Sequence, residues 1–210
     1  MIARIAKRLL RRPRYSAFVP LDADGRQRAE TLREALESLA KDPYLMLADP
    51  AWRLVSVFDD LRYDRADMDM MTGPMRAYAT RRLEPLGFRQ ATGSILENSA
   101  LDIRMHIPRF RALGASPFDA VRDTPRRAQD YYLLTPTQTA AQIVLHYPVE
   151  TAVERIKTLV ARQPVNLLRL SDYLEQRRDH QDVLSAIGHL KYVQRMAVES
   201  EPLRRRRALR

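Results

Sequence analysis

Three features of the chain predict an α-rich α+β fold. Apolar residues recur at three- and four-residue spacing along most of it, one central stretch alternates strictly, and prolines with cap residues mark the joints. The expectation is a predominantly α-helical protein of about eight helices, with a bundle-like C-terminal half and a small antiparallel hairpin or three-stranded sheet near Phe88 to Leu134. At 210 residues and 45% hydrophobic content, the chain is long enough for one well-buried core. The expected layout is a basic amphipathic arm at 1–14, one α-rich globular domain at 15–203 and an arginine-rich tail at 204–210.

The first element is MIARIAKRLLRRPR. At about 100° per residue, Met1, Ile2, Ala3, Ile5, Ala6, Leu9 and Leu10 share one half of a helical wheel, and Arg4, Lys7, Arg8, Arg11 and Arg12 the other. This is an amphipathic basic helix, ended by Pro13 and Pro20. A second helix is expected from Arg26 to Ala40, capped by Asp22 or Asp24, with Leu32, Ala35, Leu36 and Leu39 inward. Asp49 followed by Pro50 reads as a cap and first helical position. It predicts a third helix from Pro50 to Leu61 that buries Trp52, Val55, Phe58 and Leu61 or Leu54.

After a polar, methionine-rich connection, Pro74 opens a fourth helix carrying Met75, Tyr78, Ala79 and Leu83, and Pro85 and Gly87 end it. The period then changes. Leu101, Ile103, Met105 and Ile107 alternate with Asp102, Arg104 and His106, as a half-buried strand requires. Phe88 to Leu96 is its expected partner across a turn at Glu97, Asn98 and Ser99, and Tyr131 to Leu134 is a third strand. Phe110 to Asp130 reads as a connection with one short helix near Pro117 to Arg122.

Four helices follow. Thr135-Pro136-Thr137-Gln138 is a capping box with proline at its first helical position, and that helix ends before Tyr147 and Pro148. The next buries Val149, Ala152, Val153, Ile156, Leu159 and Val160. Asn166 caps one with Leu167, Leu170 and Leu174 inward. Asp179 caps the last, with Val183, Ile187, Leu190, Val193 or Met196, and Ala197 inward. Short loops make them antiparallel neighbours.

Charge is distributed unevenly along this frame. Residues 1–14 carry +6 and residues 204–210 carry +5, with no acid in either, whereas the whole chain carries +10; Tyr15 to Leu203 is therefore left at −1. A pI near 10.3 thus belongs to the termini, not to the body. The absence of cysteine excludes disulfides, thiolate metal sites and a cysteine nucleophile, and it fits a reducing compartment. No apolar run approaches the roughly 18 to 20 residues that span a bilayer. Charges interrupt the N-terminal segment too often for a secretory signal, so the expected location is cytoplasmic.

The search for chemistry leaves little. The helix pair around Tyr147 and Pro148 has the outline of a helix-turn-helix. Either frame, however, puts Arg155 or Thr151 where that motif buries an apolar residue, and its second helix mixes Glu150 and Glu154 with Arg155, Lys157 and Arg162. Asp59, Asp60, Asp64, Asp67 and Asp69 form an acidic cluster with Arg62 and Arg65 among them, and no calcium-loop pattern follows. His106, His146, His180 and His189 show no metal-binding spacing, and the six glycines form no phosphate-cradling loop. No catalytic residue, metal, cofactor or small-molecule substrate is inferred.

The terminal segments carry the functional expectation. Arg4, Lys7, Arg8, Arg11, Arg12, Arg14, Arg204, Arg205, Arg206, Arg207 and Arg210 fit contact with the phosphate backbone of DNA or RNA. The same charges fit an acidic protein partner, as in an adaptor or structural subunit. The N-terminal wheel also fits an anionic membrane surface, although it lacks the Trp or Phe common at such interfaces. The near absence of apolar residues around Arg204 to Arg207 favours nucleic acid. The body, being neutral, predicts binding that is largely independent of sequence.

Overall fold

A computed structural model describes residues 23–39, 42, 44–58, 71–107, 129–176 and 180–200. Its frame is a six-stranded mixed sheet, larger than the expected hairpin. The strands are β1 (Leu45–Asp49), β2 (Leu54–Val57), β3 (Arg89–Thr92), β4 (Ile95–Asn98), β5 (Ile103–His106) and β6 (Tyr131–Leu134), in spatial order β1-β2-β6-β5-β4-β3. β6 lies between β2 and β5 and is parallel to both, with Val55 beside Leu133 and His106 beside Tyr132. The outer pairs are antiparallel.

The expected helix from Pro50 to Leu61 is a correction, for within the described part it is the β1–β2 hairpin. Asp49 does behave as a cap, accepting the Trp52 amide at 2.9 Å. Arg53 then enters the left-handed region at φ 51, which aborts the helix after one turn and sends the chain back as β2. β2 and β6 are buried on both faces. Such strands read as unbroken apolar runs with no period to mark them.

Each face of the sheet has its own helices. α1 (Ala23–Ser38) and α2 (Gly73–Leu83) cover one, where Leu32, Leu36, Met75, Ala79 and Leu83 meet Leu45, Val55, Val57, Met105 and Leu133. α3 (Pro136–His146), α4 (Val149–Val160), α5 (Leu167–Glu175) and α6 (Gln181–Ser200) form a second core, to which the sheet contributes Met46. α4 rests on both α3 and α6, and α5 does the same. The Thr135 capping box forms as expected, with the threonine hydroxyl accepting the Gln138 amide at 3.2 Å and Gln138 Oε1 accepting the Thr135 amide at 3.1 Å.

Smaller departures are local. The turn expected at Glu97 to Ser99 is displaced, because Glu97 and Asn98 belong to β4 and the chain reverses at Ser99–Asp102. Asn98 earns its place in the strand: its amide donates to the Leu86 carbonyl at 2.7 Å and its Oδ1 accepts from the Leu101 amide, so it ties two turns together. Gly87 closes α2's short 3-10 extension at φ 86, and a Cβ there would sit 2.8 Å from the Asn98 amide. Met196, one of the residues expected inward on α6, is 44% exposed. The expected helices at 1–14 and 117–122 lie outside the described residues, as does the Asp179 cap.

Candidate functional site

The residues singled out for phosphate contact, Arg4 to Arg14 and Arg204 to Arg210, lie outside the described residues, as does the acidic cluster from Asp59 to Asp69. The described body has chemistry of a different kind: buried carboxylates at both ends of β1. Asp42, just before the strand, has a side chain only 1% exposed. Its Oδ1 accepts the Tyr44 and Leu45 amides at 2.8 and 3.1 Å. From α2, the Tyr78 hydroxyl reaches it at 2.9 Å and Arg82 Nε at 2.6 Å. Burial, then the bond to Asp42, pushes the Tyr78 phenol up to about 12.

Asp49, at the other end, is fully buried and gathers the same set of partners from the opposite face of the sheet. Its Oδ1 takes the Trp52 amide and the Tyr147 hydroxyl, the latter at 3.1 Å, and its Oδ2 takes Arg155 Nη1 at 3.0 Å. The Arg155 guanidinium also lies 4.2 Å over the Tyr147 ring, a cation–π contact. Burial and the Asp49 bond push the Tyr147 phenol up to about 12. Each carboxylate is thus met by backbone amide, a phenol and an arginine. Such a group clamps helices to a strand, with most of its hydrogen-bonding capacity committed to the fold.

His106 is a third buried polar group and corrects the expectation for the polar side of its strand. It is fully buried. Its Nε2 lies 2.9 Å from Asp130 Oδ2, while Asp130 Oδ1 accepts the Arg104 amide, so the carboxylate joins the start of β6 to β5. The ring stacks on Tyr132, and its Nδ1 is buried without a protein hydrogen bond. A carboxylate fixing one imidazole nitrogen is also how a catalytic histidine is oriented; here the other nitrogen has no hydrogen-bond partner among the described residues. His146 stacks on Trp52 with ring centroids 3.9 Å apart, and its pKa is lowered by burial against the opposing pull of Asp49. His180 is half-buried and His189 is exposed.

Among the described residues, no group of three or more His, Cys, Asp or Glu side chains is placed to hold a metal ion. Arg155, whose position spoke against a helix-turn-helix, is half-buried and committed to Asp49. Its helix α4 presents Glu150, Glu154 and Thr158 to solvent, a poor surface for a DNA groove. No protein-family model, curated protein or solved structure matches the chain.

Sequence reasoning missed the two aspartate clamps and the His106–Asp130 pair because their members are far apart in the chain. Asp42 and Tyr78 are separated by 36 positions, Asp49 and Arg155 by 106, and His106 and Asp130 by 24. The one local signal is Asp49-Pro50, which by itself predicts a helix start.

Proposed function

We propose that this chain is a non-enzymatic protein that binds the phosphate backbone of nucleic acid, largely irrespective of sequence, through its arginine-rich terminal segments. The observation that carries this reading is the contrast in how its charges are used. In the folded body, Arg82, Arg104, Arg155 and Arg195 each face a carboxylate. In residues 1–14 and 204–210, eleven basic residues stand with no acid. Basic residues clustered in segments without acids are suited to displace condensed counterions from DNA or RNA.

The test uses full-length protein in which Arg4, Lys7, Arg8, Arg11, Arg12, Arg14, Arg204, Arg205, Arg206, Arg207 and Arg210 are replaced by Gln. Binding of a fluorescent oligonucleotide is lost in the variant while far-ultraviolet circular dichroism keeps the signal of the folded body. Equal affinity for both proteins, or none for either at moderate salt, removes the proposal.

A second reading, an adaptor within a protein assembly, is favoured by a specific observation. Leu168, Tyr192 and Met196 are exposed on α5 and α6, the large apolar residues most open to solvent among those described. For the membrane alternative, no described helix is long and apolar enough to cross a bilayer. Peripheral attachment would show as loss of binding to anionic vesicles when Ile5 and Leu9 are replaced by Ser.

A further inference from the structure

We draw no further inference here: the strongest candidate, the buried His106–Asp130 pair at the β5–β6 seam, whose imidazole Nδ1 has no hydrogen-bond partner among the described residues, carries nothing, because β5 runs on into residues 108–128, which lie outside the described residues, and nothing in the structure shows what meets that nitrogen.

Discussion

Several arginines described in the folded body face carboxylates, whereas the two terminal segments are basic by sequence with no acid in either. Arg82 and Arg155 end on carboxylates that are themselves buried, at the two ends of β1 and on the two faces of the sheet. Arg104 meets Glu97 across the β4–β5 pair. The terminal segments, residues 1–14 and 204–210, have eleven basic residues and no acid among them. The difference shows how little a whole-chain charge reveals. A net charge of +10 suggests a basic domain, yet here the body is close to neutral and its cations serve the fold.

Perturbing the body should therefore change stability without changing backbone binding. The largest effect is expected from Asp49→Ala, which leaves the Tyr147 hydroxyl and the Trp52 amide without their acceptor and frees Arg155. A loss of about 3 kcal/mol is expected in urea unfolding, with oligonucleotide affinity unchanged wherever the variant is folded. A stability loss below about 0.5 kcal/mol would mean that the clamp is ornamental.

Thr135→Ala should cost less, about 1–2 kcal/mol, because it removes one cap from a buried helix start. The two ends of β1 then make a joint prediction in alkali. The folded state holds Tyr78 and Tyr147 as neutral phenols with pKa near 12, whereas unfolded tyrosines release their protons near 10. Their contribution is fully present below pH 10 and is lost as pH rises toward 12. The double variant Tyr78→Phe, Tyr147→Phe should show a shallower fall of urea midpoint over that range, and an identical fall would contradict the assignment.

The smallest effect is spectroscopic. His146 has its pKa lowered by burial, so its contribution is fully present above the unfolded value of about 6.5 and is lost as pH falls through the lower folded value. Because it stacks on the chain's single tryptophan, protonation should quench Trp52 emission with a midpoint below 6.5, absent in His146→Gln. A midpoint at or above 6.5 would show that the ring is not desolvated.

How much of this was legible in the sequence depended on how far each signal had to reach. The C-terminal helices were read correctly because caps such as Thr135 with Gln138, and Asn166 with Arg169, close within three residues, and because Leu167, Leu170 and Leu174 repeat at helical spacing. The β1–β2 hairpin was not. Leu54 to Val57 is buried on both faces and has no period, and the decisive feature, a left-handed Arg53, is a backbone state that no residue type there announces. The clamps were invisible for a related reason, since Asp42 and Asp49 look like loop residues until distant tyrosines and arginines converge on them. For the terminal segments, composition gives the charge, and they lie outside the described residues.

The central claim is that backbone binding belongs to the terminal segments and not to the body. The most direct measurement is the salt dependence of oligonucleotide affinity for the parent and for the protein with its eleven terminal basic residues replaced by Gln. If about six phosphate contacts form, log affinity of the parent for duplex falls against log salt with a slope near −5, and the variant's slope collapses toward zero. A variant that keeps the parent's slope would place the contacts on the folded body and contradict the account.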